Sequence, residues 1–578
     1  MKPLQTLVAS AVETVYGPDV ARGSPVQLIP TDRPEHGDYA TNIAMQLARA
    51  LKKAPLLIAQ EIADELQKTP SDIIKRVAVA PPGYVNITLD DATLMSVIPS
   101  ILNTKEAYGT GEDLKGKRIM IEFGHPNPFK VMHIGHLRNF CIGESLVRLL
   151  ESQGAKLIRT NYQGDVGMHV AKNIWAFRKD LEKGTELSEL SRRPIDERVR
   201  YLGERYVEGA TAFEEDEQAK EEIMAVNAAI YTKSDALMNE LWQLGISWSL
   251  EKFHEVYQRL DTRFDREYME SETVDRAHKA VEQALEKGIL TKSDGAVIFD
   301  GSPYNLDTRV FLNGKGFLTY EGKELGLAQM EFSDFGTLDQ CIHNVAVEQR
   351  SFFAVTFKVE ELLWPDMAGK QYHNAYEFVG LKSGKMSSRK GSVVTAESIL
   401  ETAHTRIAQI VKENGMSSIS DEDIDAIAVG AVKYSYLKMS PYKYLAFDLE
   451  ASLSFKGDAG PYLQYTYARA KSVLSNQKVK KDGDSSYIMN PEERNAVALL
   501  ERFPGVVVQA AREYSPQYIA SYLNALAQAY NTFYAVHRII GAKEGKEAEV
   551  FRLSLTSAIA QVLRNGLYWL GIPTVEKM

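Results

Sequence analysis

The chain has 578 residues, a formal net charge of −10, 44% hydrophobic residues and 25% charged ones. At roughly 100–200 residues per domain that length gives three to five domains rather than one core, and the composition is that of an ordinary globular protein. No apolar run approaches the roughly 20 residues needed to span a bilayer, and residues 1–11 lack the pattern of a secretory signal, so no membrane is expected and the cytoplasm is the expected compartment.

Residues 4–15 form an amphipathic helical stretch. After a turn around Gly37-Asp38-Tyr39, residues 42–66 are helix-forming and break near Ala54-Pro55. Residues 77–89 then read as strand, turn and strand about Pro81-Pro82-Gly83. Together these make an amino-terminal α+β domain over residues 1–105, closed by the polar stretch 103–116. Residues 118–123 are a short apolar strand, followed by a loop with Pro126 and Pro128, a helix over 133–153 and a strand over 156–161. A parallel sheet with crossover helices requires that order.

Residues 171–293 are charged and mostly helical, with the acidic run Glu214-Glu215-Asp216-Glu217, and read as an insertion between the halves of the sheet. Strand signals return at 296–299, 310–312 and 342–347. From Asp421 onward the pattern is helical, apart from a Lys/Asp/Gly/Ser-rich stretch at 476–490 that reads as a flexible connection. The expected architecture is multidomain α/β. It has a Rossmann-like parallel-sheet domain over 106–390 carrying the helical insertion at about 171–293, a connecting segment over 391–440 and an all-α bundle over 441–578.

The two cysteines, Cys141 and Cys341, stand in no metal-ligand pattern. They read as buried thiols of a reducing compartment, and no metal centre is expected. The negative net charge does not point to a nucleic-acid binder, but phosphate contacts depend on where cations cluster rather than on their sum.

His133-Ile134-Gly135-His136 stands directly after a strand and loop and opens a helix. A helix start offers unpaired N–H groups and the positive end of the dipole, which makes an anion site. The two histidines can donate to phosphate oxygens, and Gly135 lets a flat base or sugar approach the backbone. Arg138 adds positive charge. A metal pair or a capped helix with one partly buried imidazole are the plainer readings of the same four residues. Far downstream comes Lys382-Ser-Gly-Lys385-Met386-Ser387-Ser388-Arg389-Lys390-Gly391, whose cations and hydroxyls suit a triphosphate. In isolation such a run reads as a solvated basic loop.

In this order and on this sheet pattern the two motifs resemble the HIGH and KMSKS signatures of class I aminoacyl-tRNA synthetases. The first match is complete. In the second, Ser388 stands where the family has its second lysine, with Arg389 and Lys390 beside it. The resemblance implies ATP and Mg²⁺, with Lys130, His133, Gly135, His136, Lys385, Met386, Ser387 and Ser388 at the nucleotide. It implies catalytic roles for His133, His136, Lys385, Arg389 and Lys390.

Three further segments resemble arginyl-tRNA synthetases. These are Glu122-Phe-Gly-His-Pro-Asn127, Asn161-Tyr-Gln-Gly-Asp165-Val-Gly167 (with Val166 where that family has tryptophan) and Thr319-Tyr320-Glu-Gly-Lys323-Glu324. A guanidinium calls for a planar, anionic receiver. The resemblance implies an arginine pocket of Glu122, Asn127, Tyr320, Glu324 and Gln349, with Glu324 one methylene longer than the family's aspartate. Gly37 to Asn42 and Pro82 to Asn86 are similar to the family's tRNA-elbow domain, and Asp458 to Tyr465 with Ala468-Arg469 to the start of its anticodon-binding domain. Taken over the whole chain, the resemblance implies an enzyme that attaches L-arginine to tRNA(Arg) through an arginyl-adenylate, releasing AMP and pyrophosphate, with a monomer favoured. Two rivals are a small-molecule nucleotidyltransferase of the HIGH superfamily and a non-catalytic RNA-binding regulator.

Overall fold

A wholly parallel five-stranded sheet organises the middle of the chain. Its strands are β1 (Arg118–Glu122), β2 (Lys156–Gln163), β3 (Arg266–Met269), β4 (Gln340–Ala346) and β5 (Gln371–Tyr376), in the spatial order β5-β4-β1-β2-β3. The computed structural model describes residues 2–31, 33–382, 394–415, 419–479 and 487–578. The chain enters the sheet at β1, runs outward to β3, then crosses back to β4 on the other side of β1. That reversal opens a crevice beyond the carboxyl ends of β1 and β4, where sheets of this kind hold their ligands.

The helix after β1, α1 (Ile134–Ser152), is buried along almost its whole length. A ladder of amides ties it to the sheet. Asn374 donates to Asn344 (2.8 Å), Asn344 to Asn139 (2.8 Å), and the Gly124 N–H to the same Asn139 oxygen (3.0 Å). Arg138 on this helix is fully buried, and its guanidinium is spent on the carbonyls of Phe378, Pro441 and Lys443. It ties the helix to the chain beyond β5, so the charge expected at a phosphate site is not offered there.

Three readings of the sequence need correction. The helical insertion ends before 293, because β3 inside that span is an edge strand of the main sheet. Four residues, Arg-Glu-Tyr-Met, are too few and too polar to show a strand period. The strands at 296–299 and 310–312 stay out of the parallel sheet. With Thr291–Ser293 they form a separate antiparallel sheet of Ala296–Phe299 and Arg309–Leu312. The carboxy-terminal region is not purely helical either, since Leu445–Phe447 pairs in parallel with Val379–Leu381.

The helices of the insertion enclose a core of their own around Phe177, Ile223, Leu241 and Trp248. The acidic run at 214–217 marks a helix boundary. Asp216 caps Glu217–Thr232 by accepting from Gln218 and Ala219, which favours acids at that helix start. At the amino terminus, helices including Lys2–Tyr16, Ile43–Leu51 and Pro55–Lys68 pack with a four-stranded antiparallel sheet. Pro55 at the first turn starts the last of these helices, hence the break seen in the sequence. Asp38 of this domain meets Arg494 of the carboxy-terminal helix Pro491–Arg512 in a two-pronged ion pair of 3.0 and 2.9 Å. In the carboxy-terminal bundle, Asn531 accepts from Arg469 and donates to Tyr462 and Thr466. Residues 480–486 of the expected connection lie outside the described residues. Among the described residues no helix is long and apolar enough to cross a membrane.

Candidate active site

The crevice at the carboxyl ends of β1 and β4 is a cleft of about 590 Å³, and it gathers residues from distant parts of the sequence. Glu122, Asn127, Lys130, His133, Gly135 and His136 line it from the first segment, and Tyr320, Glu324 and Gln349 from the later one. Lys385, Met386, Ser387, Ser388, Arg389 and Lys390 lie outside the described residues. The described residues on either side of them meet the same cleft region. Val379 lines it, and Thr395 forms a bridge with His133. Lys382 is exposed and paired with Asp448 at 2.9 Å, away from the lining.

The two histidines are set by the helix start itself. His133 caps α1 and its Nδ1 accepts from the Gly135 N–H at 3.0 Å, while His136 Nδ1 accepts from the His133 N–H at 3.0 Å. With both Nδ1 atoms accepting, each ring carries its proton on Nε2. Burial, then neighbouring positive charge (Lys130 for His133, His133 and His125 for His136), lowers both pKa values below the ordinary histidine range. The pair is therefore two neutral N–H donors, 4.0 Å between ring centres, at the positive end of a helix dipole. A Cβ on Gly135 would stand 2.9 Å from the His133 ring, so this position must be glycine for the ring to lie where it does.

The other wall is acidic and buried. Glu122 and Glu324 are buried, and one oxygen of each, Glu122 Oε2 and Glu324 Oε1, makes no hydrogen bond. Such atoms are costly unless a donor arrives. Burial drives the Glu324 carboxyl well above its usual range; the positive charge of His343 opposes this, and the charges of Glu122 and Glu360 add to it. For Glu122, burial acts in the same direction, but His343, His125 and Glu331 together oppose it and the net shift is downward. Asn127 accepts the Gly164 N–H at 2.7 Å, which turns its amide N–H₂ into the free donor. Tyr320 is 71% exposed at the rim, so it is not a core aromatic.

Several lining residues were missed from sequence. Glu270 opens the helix after β3 and is met by buried Lys323, which also reaches the Tyr231 hydroxyl. His125, Tyr162 and His169 complete the floor. Among the described residues, Glu331, Cys341 and His343 converge, all buried, with ligand atoms within 4.8 Å. Both ring nitrogens of His343 already face oxygen acceptors, Glu122 Oε1 at 3.0 Å and Gln371 Oε1 at 2.9 Å. That ring has no lone pair for a metal.

A helix-capping histidine pair at the switch point of a parallel sheet offers N–H donors to an anion, and the buried acidic wall facing it offers unpartnered oxygens to a cation. The family described as tRNA synthetases class I (R), catalytic domain, matches residues 97–449. The arginyl tRNA synthetase N terminal domain matches 2–89, and the DALR anticodon binding domain matches 463–578. The fold is thus that of the class I synthetases, which use ATP. An arginine--tRNA ligase of Treponema denticola is 33% identical, over 94% of this chain and 93% of its own length. One of Clostridioides difficile is 34% identical over 94% of each. The solved arginyl-tRNA synthetase of Thermus thermophilus superposes over the whole of both chains with a TM-score of 0.80 at 26% identity. The chain belongs to the arginyl-tRNA synthetase family. Because the matches run through both flanking domains, neither the nucleotidyltransferase nor the regulator reading is favoured.

Proposed function

We propose that this chain attaches L-arginine to tRNA(Arg), with arginine on the acidic wall and ATP at the histidine pair of one cleft. The observation that carries the reading is the pair of unpartnered buried oxygens, Glu122 Oε2 and Glu324 Oε1, in the same cleft as His133 and His136. A guanidinium supplies planar, charged donors to two such oxygens at once. Tyr320 and Gln349 close the pocket from the rim, and the Asn127 amide donates to the arginine carboxylate.

In the first step that carboxylate attacks the α-phosphorus of ATP, a P–O bond forms, and the bond to the β-phosphate oxygen breaks to release pyrophosphate. An α-carboxyl with a pKa of about 3.5 is already ionised, so alignment and charge stabilisation carry the rate and no base is required. His133 and His136 donate through Nε2 to the phosphates, with Lys130 adding charge and Gly135 admitting the nucleoside. Lys385, Arg389 and Lys390, with Met386, Ser387 and Ser388 around them, serve the departing pyrophosphate. Mg²⁺ would neutralise charge on the triphosphate, and exposed Glu348 on the cleft wall would offer a protein oxygen suited to that hard ion. In the second step a ribose hydroxyl of the terminal adenosine, the 2′-hydroxyl in class I, attacks the arginyl carbonyl and AMP leaves.

The flanking domains hold the tRNA. The working form is a monomer, and the compartment is the cytoplasm, which suits two buried thiols of which Cys141 is pushed up to about 12 by burial. The test is charging of total tRNA with each amino acid in turn. Arginine alone should be attached. Charging with a different amino acid would refute the pocket and keep the fold, and folded protein that binds tRNA without charging it would refute the activity.

A further inference from the structure

Four carboxylates, Glu122, Glu324, Glu331 and Glu360, lie buried beneath the arginine side of the cleft, around the imidazole of His343 on the central strand β4. All four cannot be ionised together in so little water. His343 has no exposed surface. Its Nδ1 lies 3.0 Å from Glu122 Oε1 and its Nε2 lies 2.9 Å from Gln371 Oε1, while the Gln371 amide donates to Glu360 Oε2 at 2.7 Å. Both ring nitrogens point at oxygens, so both carry protons, and the ring is a cation held between Glu122 and the Gln371–Glu360 arm. The other ionisable groups around it are Cys341 on its own strand, Glu324 and Glu331 on the helix Tyr320–Asp334, His373 on β5, and His125 beyond β1, which also favours the ionised form of Glu122. Phe353 and Phe357 cover the ring at 5.0 and 5.2 Å between centres.

We propose that His343 is the positioning residue for arginine recognition: it fixes one oxygen of Glu122 and holds that carboxylate ionised, so that the other oxygen is presented unpaired to the guanidinium. The inference rests on the reading of Glu122 as an arginine receiver. His343 thereby decides which buried carboxylate is charged before substrate arrives. It favours a planar cationic side chain over a neutral one of similar length.

The test measures kcat and the KM values for arginine and ATP in ATP–pyrophosphate exchange with tRNA present, with melting curves, for His343→Phe, His343→Gln, Glu122→Gln and the double variant H343Q/E122Q. Loss of a charge-assisted bond to Glu122 should raise the arginine KM about 10- to 100-fold. The ATP KM should stay within about twofold, since the histidine pair is untouched. His343→Gln can still donate an N–H toward Glu122 and should recover part of the loss, a rescue that simple packing damage would not give. If His343→Phe fails to fold, His343→Gln and the cycle carry the test. Because the effect runs through Glu122, H343Q should add little to E122Q, and full additivity would overturn the proposal. An arginine KM unchanged in both His343 variants would overturn it as well. If instead Glu122→Gln leaves the arginine KM unchanged, the assignment of Glu122 fails first and the proposal with it.

Discussion

Asn344 on the central strand donates a 2.8 Å hydrogen bond to Asn139 on the helix that carries the histidine pair, and the same Asn139 oxygen receives the Gly124 N–H. All three groups are buried, so one amide links the helix to both the central strand and the loop after β1. Asn139→Ala leaves the Gly124 N–H without its acceptor and the Asn344 amide with only the longer bond to the main-chain carbonyl of residue 139 (3.3 Å), at about 1–3 kcal/mol for the orphaned group. We expect a lower melting temperature together with a higher ATP KM, because His133 and His136 ride on the helix. A melt that falls with the ATP KM unaltered would show that the amide serves stability alone.

Gly135→Ala separates position from stability. The backbone there is ordinary helix, but the new Cβ would meet the His133 ring at 2.9 Å, and the ring can swing aside cheaply. We therefore expect a melting temperature within a few degrees of the parent and a kcat lowered by about 10- to 100-fold, the cost of one displaced donor at a phosphate. Full activity in Gly135→Ala would mean that His133 does not act from its capping position.

Arginine binding should release a proton. Burial pushes the Glu324 carboxyl toward its protonated form in the free protein, with the charges of Glu122 and Glu360 adding to that and His343 opposing it. A guanidinium beside it favours the ionised form, so the free state binds more protons than the complex. By that sign, arginine affinity rises with pH, by up to about tenfold per unit, until Glu324 is already ionised in the free protein. Calorimetric titrations in buffers of different ionisation enthalpy measure the release directly. In Glu324→Gln the release should vanish and arginine should bind more weakly. Proton uptake, or release that survives in Glu324→Gln, would place the titrating group elsewhere.

How much of this was legible in the sequence depends on how locally each feature is encoded. The histidine pair could be read because four adjacent residues at a helix start hold the donors, the gap and the dipole together. Glu122 and Glu324 were found by resemblance alone, since an acid in a sequence does not announce whether it faces water or a dry wall. His343 was passed over because one histidine in an apolar strand reads as ordinary core. Its meaning lies in Glu122, 221 residues away, which only the β1–β4 pairing brings into reach. Arg138 was misread for a related reason: its helix is buried all round, so no hydrophobic stripe tells which side faces the cleft. Strand β3 has four residues and two charges, and only its neighbour β2 makes it a strand.

The ion pair between Asp38 and Arg494 joins the first domain to the last, 456 residues apart. Asp38 is almost wholly buried and also accepts the Leu89 N–H at 2.7 Å, while Arg494 reaches Asp91 at 2.8 Å. Arg494→Ala strips the guanidinium from a buried carboxylate. A fully buried pair broken this way costs about 3–5 kcal/mol, and the partial exposure of Arg494 brings that down to about 2 kcal/mol. The loss falls at the junction between the two domains, whose buried apolar side chains belong to one continuous core. We expect faster proteolytic release of the amino-terminal domain and a raised KM for tRNA, with the arginine and ATP KM values little changed because their cleft lies in the sheet domain. Asp38→Asn in the Arg494→Ala background should cost less than it does alone, because the partner it would lose is already gone. If the two changes add in full, the pair does not hold the domains together, and the docking rests on the other contacts of the junction, among them Tyr39 to Glu501 and Arg502 to the Asp38 carbonyl.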